Sequence, residues 1–521
     1  MGNTWTRRHV LVGGVAGAAT AVLSRADRVY AATVDPADLG VLDAAALLQS
    51  GRLSSRELVS ACQQRITRRN GPVTFEGADG VINAWVRLYP DLAAIQSQAA
   101  DKALSQARAT GTTTHLLCGI PLALKDLYAV AGKPLTASSN VLNGSSGTFP
   151  VNVATGDSAV WTRLKRAGMV LLGHTHTHEF AAGAATPQTG NPWDATRIPG
   201  GSSGGSAAAL AARMTPAATG SDTGGSLRMP SGCCGTSTIK GTYGLVSTHG
   251  VIPLQWSYDH AGPMARSLDD VSLMLAAMAG HDPQDSGSLA PESRAAYPLH
   301  ARPGSRPLAG VRIGVNTAPG TLSAGVAAVY RRFQRELAGL GAVLIEVTPP
   351  ADPLAADLLA TAASISEVDA YHRQFFPERA HLYRPQIAEI LAAARAANTT
   401  AFDLLRMQQL RHVYQQRWNA AFAAHRIEAL VMPTNATEAQ LRNSVDDLTI
   451  VTRTGANGLT NLWDETGFPV ACTPAGPSPD GGMPVGMQIV GTAWTEATVL
   501  QIGIDYQAHH PYWALTPPKL P

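Results

Sequence analysis

Charge is scarce in this 521-residue chain: 15% of residues are Asp, Glu, Lys or Arg, and 40 basic side chains nearly cancel 38 acidic ones to leave +2. No dense basic run stands behind that figure, so the electrostatic footprint of a nucleic-acid or anionic-membrane binder is missing. Cysteine is sparse too. Cys62, Cys118, Cys233, Cys234 and Cys472 contain no C-x-x-C pair, which argues against a disulfide framework or a thiolate metal knuckle and for buried free thiols. Long apolar runs are also absent: the best, residues 10–23, is about 14 residues against the roughly 20 needed to cross a bilayer, so no stable membrane span is expected. What is abundant is ordinary core material. Hydrophobic residues make up 45% of the chain, enough for a large globular fold acting on a small neutral molecule.

The first 32 residues differ from the rest. Arg7 and Arg8 precede the short apolar stretch, and Val29 and Ala31, or Tyr30 and Ala32, follow at cleavage-site spacing. This is the pattern of a twin-arginine signal peptide, and it predicts export to the periplasm or medium, with residues 33–521 as one catalytic domain. Residues 33–110 read as a helical segment: Ser54-Ser55-Arg56-Glu57 is a capping box, followed by Leu58, Cys62 and Ile66 as one helical stripe. From Cys118 onward short apolar runs alternate with helices. Asp157 is placed to cap a helix carrying Val160 and Leu164, with a strand at 169–172. The alternation resumes with strands at 311–315 and 343–347 around a helix through 330–340. The expected class is therefore α/β, a single large domain with a central mixed sheet covered by helices on both faces. Residues 281–307 read as a surface connection, 355–424 as largely helical, and 427–432 and 484–491 as strands, the first stopped by Pro433.

Two glycine-rich loops carry the densest chemical signal: Gly200-Gly201-Ser202-Ser203-Gly204-Gly205-Ser206 and Gly220-Ser221-Asp222-Thr223-Gly224-Gly225-Ser226. Glycine lets several backbone N–H groups converge on one oxygen, as an oxyanion site requires. Flexible linkers and phosphate cradles look similar, but neither loop has the Lys-Ser/Thr ending of a Walker motif. A serine nucleophile needs a base. Lys125 ends the apolar run of Gly119-Ile120-Pro121-Leu122-Ala123-Leu124-Lys125-Asp126, where desolvation would lower its pKa and permit a neutral amine.

Taken together these three segments resemble the amidase signature family, whose catalytic machinery is a Ser-cisSer-Lys triad. The resemblance runs from about residue 41 to 513, including Gly262-Pro263-Met264-Ala265-Arg266-Ser267, Gly467-Phe468-Pro469 and Gly486-Met487-Gln488. It implies Lys125 as base, Ser202 as bridging serine after a cis peptide, and Ser226 as nucleophile, with the N–H groups of Thr223, Gly224, Gly225 and Ser226 as oxyanion hole. It implies no cofactor and no metal. One departure stands out: relatives read Gly-Leu-Lys-Pro-Thr where this chain has Thr238-Ile239-Lys240-Gly241-Thr242, so a reshaped loop is expected there. Asp222 and Arg228 flank the nucleophile and are expected to pair structurally, the alternative being Arg228 as a substrate-carboxylate ligand.

Rival readings remain. His174, His176, His178 and Glu179 contain zinc-ligand types, but alternate strand positions lie about 6.5–7 Å apart and no HExxH pair occurs. Gly201-Ser202-Ser203-Gly204-Gly205 fits a nucleophile elbow around Ser203, which would leave the second serine loop without a role. An amide-transfer component of a multi-subunit complex and a secreted binding protein on the same scaffold are the non-hydrolase alternatives. The substrate is expected to be a small neutral amide, with aryl amides, carbamates and C-terminal peptide amides open. Tyr128, Trp256 and Tyr258 are candidate pocket walls or ordinary packing, and a homo-oligomer stays open.

Overall fold

The computed structural model describes residues 35–145, 147–289, 296–355, 366–442 and 457–518. The twin-arginine segment lies outside them. Eleven strands form one mixed sheet: β1 (Trp85–Leu88), β2 (Pro121–Lys125), β3 (Val170–Thr175), β4 (Ala217–Asp222), β5 (Ser237–Lys240), β6 (His260–Ala265), β7 (Arg312–Asn316), β8 (Val343–Val347), β9 (Ala429–Pro433), β10 (Val470–Pro477) and β11 (Pro484–Val490). Their spatial order is β1-β3-β2-β4-β6-β5-β10-β11-β9-β7-β8. β2 runs parallel to β3 and β4, β7 parallel to β8 and β9, and the strands between these groups pair antiparallel.

Successive strand side chains point to opposite faces, so a strand buried at every position must be covered on both sides. β2, β3, β4, β6, β9 and β11 are buried throughout, whereas β8 at one edge is largely exposed. Helices supply the cover, as expected for a doubly layered α/β domain.

The local signals act where they were read, with some shifts. Ser54 accepts from Glu57 N while Glu57 Oε2 accepts from Ser54 N at 2.8 Å, closing the capping box of helix Ser55–Arg69, whose Leu58, Cys62 and Ile66 are buried. The N-terminal segment is not purely helical, because β1 lies between helices Ser55–Arg69 and Pro90–Thr110. Ser158, not Asp157, caps helix Ala159–Arg166: its Oγ accepts from Trp161 N at 3.3 Å, and Asp157 instead accepts from Ala131 N and Lys165. β9 includes Pro433. The variant stretch at 238–242 is not a loop: β5 lies in the middle of the sheet, paired with β6 and β10. All five cysteines are free and buried. Among the described residues no helix is long and apolar enough to cross a membrane.

Candidate active site

Lys125 is the last residue of β2, and Ser221 and Asp222 are the last two of the parallel neighbour β4. Both chains therefore leave the sheet at the same edge, the place where open α/β sheets gather functional groups. Lys125 is fully buried. Burial pushes its ammonium down to about 7, although Asp222 and Asp259 pull it upward. Its Nζ donates to Ser202 Oγ at 2.7 Å and to Ser221 Oγ at 2.9 Å, and its backbone N donates to Thr219 Oγ1 at 3.2 Å. A lysine bonded only to hydroxyls can both give and take a proton along those bonds.

Ser202 follows a cis peptide to Gly201 and sits just before helix Gly204–Ala211. That helix is all glycine, serine, alanine and one leucine, and it is completely buried. The small residues are a packing requirement: a Cβ on Gly205 would lie 2.6 Å from Ala84 O and from His176 N and O. The helix can thus press against the sheet and hold Ser202 over Lys125. Ser203 faces elsewhere, its Oγ donating to Ser221 O and accepting from Ser221 N, both at 3.3 Å. A hydroxyl tied to strand backbone, with no base beside it, is a poor elbow nucleophile.

Ser226 is nearly buried, at 6% exposure, and its carbonyl accepts from Ser203 N at 3.3 Å, joining the two glycine-rich loops. Among the described residues no hydrogen bond links Ser226 Oγ to Ser202 Oγ. Asp222 builds the loop between: it accepts from Gly225 N at 2.6 Å, from Leu227 N at 3.1 Å, and from Arg228 Nε and Nη2 at 2.9 Å each. Burial opposes this carboxylate, but the adjacent guanidinium holds it well below the usual range. Arg228 also donates to Asp464 Oδ2 at 2.6 Å, Thr460 O at 3.0 Å and Gln488 Oε1 at 2.8 Å. All five guanidinium donors are used internally, so none remains for a substrate carboxylate.

The oxyanion set requires one correction. Gly225 N–H points at Asp222, not outward, leaving Thr223, Gly224 and Ser226 as backbone donors. Gly225 is nevertheless demanded by the loop: its φ is +128°, and a Cβ there would lie 2.5 Å from Thr460 Oγ1. Thr223 is pinned separately, its Oγ1 donating to Asp259 Oδ1 at 2.5 Å; burial raises the Asp259 carboxyl to about 6.

Sequence reasoning missed Ser221, Asp259, Asp464 and Lys240. Ser221 lies within the second glycine-rich loop, and a second hydroxyl partner for the lysine could have been sought there; the others come from strands and helices distant in sequence. Lys240 is as buried as Lys125 and is pushed down by burial to about 8. It donates to Phe468 O at 2.6 Å and to Gly241 O at 3.4 Å, and lies 3.1 Å from His260 Nε2. The histidines converge on nothing common: His174 meets Tyr89 OH and Tyr128 O, while His176 meets Thr74 O and Ser138 Oγ. Tyr128 is buried with its OH donating to Gly220 O at 2.5 Å, Tyr258 stacks beneath Arg411 at 3.8 Å, and Trp256 is exposed.

The amidase family model matches residues 72–500. The chain is 35% identical over 495 residues to a component of the glutamyl-tRNA(Gln) amidotransferase of Methylobacillus flagellatus, its GatA-type chain, covering 88% of this chain and 95% of that protein. It is similar in structure to the native peptide amidase of Stenotrophomonas maltophilia, with TM-score 0.75 and 27% identity over 92% of this chain and 98% of that one. It also resembles 6-aminohexanoate cyclic dimer hydrolase, with TM-score 0.74 and 25% identity over 94% and 100% of the two chains. With sheet, helices and buried lysine–serine pair already accounted for, these matches make the chain a member of the amidase family.

Proposed function

We propose that this protein is a serine amidohydrolase that cleaves a carboxamide C–N bond to a carboxylate and ammonia or an amine, without cofactor or metal. The observation that carries the reading is the 2.7 Å hydrogen bond from buried Lys125 to Ser202, on a lysine whose ammonium is pushed down to about 7. Neutral Lys125 takes the Ser202 proton as Ser202 takes that of Ser226. Ser226 Oγ attacks the carbonyl, and the oxyanion is met by the N–H groups of Thr223, Gly224 and Ser226. The relay then reverses: Ser202 protonates the leaving nitrogen, the C–N bond breaks, and water hydrolyses the acyl-enzyme. Asp222 and Arg228 keep the nucleophile loop in shape.

Small neutral aliphatic or aryl amides are the proposed substrate class, with aryl carbamates on the same triad as the alternative. A second reading, an amide-transferring component of a larger complex, is favoured by the likeness to the glutamyl-tRNA(Gln) amidotransferase chain. We further infer export by residues 1–32; replacing Arg7 and Arg8 with lysine should trap the protein inside the cell.

The deciding experiment is amine release from a panel of amides and carbamates by the isolated chain and by Ser226→Ala, with fluorophosphonate labelling of both. Turnover and labelling of the wild type alone support the reading. Labelling without turnover on any substrate favours the amide-transfer component, and labelling of Ser226→Ala sinks the assignment of the nucleophile.

A further inference from the structure

A cavity of about 510 Å³ opens between helix Ala401–His425, the turn after β5 and the segments around 466 and 494. Its lining includes Glu465, Tyr243, Trp494, Arg411, His412 and Gln415, and none of Lys125, Ser202 or Ser226. We propose that this cavity is a binding site for an organic ammonium ion, held by the Glu465 carboxylate and the aromatic rings of Tyr243 and Trp494.

The carboxylate is left half-used. Glu465 Oε1 accepts from Asn461 Nδ2 at 2.7 Å, but Oε2 is buried and accepts no hydrogen bond. The guanidinium that could satisfy it is committed elsewhere: Arg411 gives Nε to Glu465 O, Nη1 to Ser257 Oγ and Gln408 Oε1, and Nη2 to Ser257 O and Asp464 O. A buried carboxylate oxygen without a partner is costly, and a donor cation entering the cavity relieves that cost. The aromatic wall selects the same chemistry, because an indole or phenol ring attracts a cation through its quadrupole. Trp494 is held at the rim by an unusual backbone. Its φ is +69°, uncommon for a bulky residue, and its N–H donates to Thr242 Oγ1 at 2.8 Å, which in turn donates to Glu496 Oε1 at 2.5 Å. Trp494 remains 36% exposed there. An alkyl chain, a positive head and N–H donors are what this combination accommodates, and the site is independent of the amidase reading.

The test is calorimetric titration of the full chain with n-butylammonium chloride, against sodium chloride and butan-1-ol as controls. Saturable binding of the ammonium is expected, with butanol about tenfold weaker or more, and Glu465→Gln losing about tenfold in affinity for the ammonium. Butanol binding as tightly as the ammonium, no binding of either, or Glu465→Gln matching the wild type would each overturn the proposal. If Glu465→Gln melts before titration, Trp494→Leu serves: it should weaken the ammonium severalfold, and unchanged affinity counts against the site. Wild-type affinity should also rise with pH, since burial raises the Glu465 carboxyl to about 7. The charged and titratable groups facing it are Arg411, His412 and Tyr414 from the long helix, Asp352, neighbouring Asp464, and Tyr243 and Tyr258; a flat or falling profile through pH 7 would oppose a carboxylate–cation contact.

Discussion

Lys125 and Lys240 are the same residue in nearly the same setting. Each is the last residue of a buried strand, each is fully enclosed, and each is pushed down by burial, to about 7 and about 8. Their partners separate them. Lys125 meets hydroxyls, which can donate as well as accept, so a proton can travel from serine to lysine and back. Lys240 meets the carbonyls of Gly241 and Phe468, which only accept, so its proton holds the chain between β5 and β10 together and has nowhere to go. Burial alone does not make a lysine a base; the group across the hydrogen bond decides.

The sharpest way to break this contrast is to remove each amine. Lys125→Ala should lower kcat by about 10⁴-fold or more while the protein stays folded, and Lys240→Met should keep kcat within about tenfold; steady-state kinetics on the best amide would show whether the roles are reversed. Next in size is Asp222→Asn, which strips a buried guanidinium of its counter-charge and unhooks Gly225 and Leu227; a stability loss of about 3–5 kcal/mol is expected by denaturant titration. Lys240→Met should cost less, about 1–3 kcal/mol, for two carbonyls left without a donor.

Smaller effects follow from pH. With Lys125 required neutral, kcat/KM should fall about tenfold per unit as pH drops below about 7; a profile flat from pH 5 to 9 would remove the lysine from the base role. For stability, the folded pKa of Lys125 lies below the unfolded value, so the unfolded chain binds more protons between about 7 and 10.5, and stability should rise with pH across that window. Lys125→Met should flatten part of that slope in thermal melts, and Lys240→Met the part above about 8.

Much of the molecule is legible in the sequence for local reasons. A capping box satisfies its own backbone within four residues, and an apolar run between turn signals has few ways to be anything but a buried strand, so helix Ser55–Arg69 and β8 fall where the pattern puts them. Lys125, Ser202 and Ser226 are legible because each sits in a compact glycine-rich or apolar segment. The misses share a different cause. Ser158 holds the cap in place of Asp157 because Asp157 has a tertiary partner in Ala131 N, 26 residues away. Gly225 reads as an oxyanion donor because nothing local says where an N–H points; Asp222, bent back by Arg228, claims it.

The sequence by itself determined the amidase family, the α/β class and the two serine loops, because spacing of small and apolar residues is a property of neighbouring positions. Tertiary structure alone decided which of two buried lysines faces hydroxyls, that Arg228 has no donor to spare, and that Glu465 keeps one oxygen open to a cavity. Those outcomes depend on groups up to 260 residues apart, as in the Arg228–Gln488 bond, and a hydrogen bond is settled by distance and direction in space, which only the folded sheet supplies.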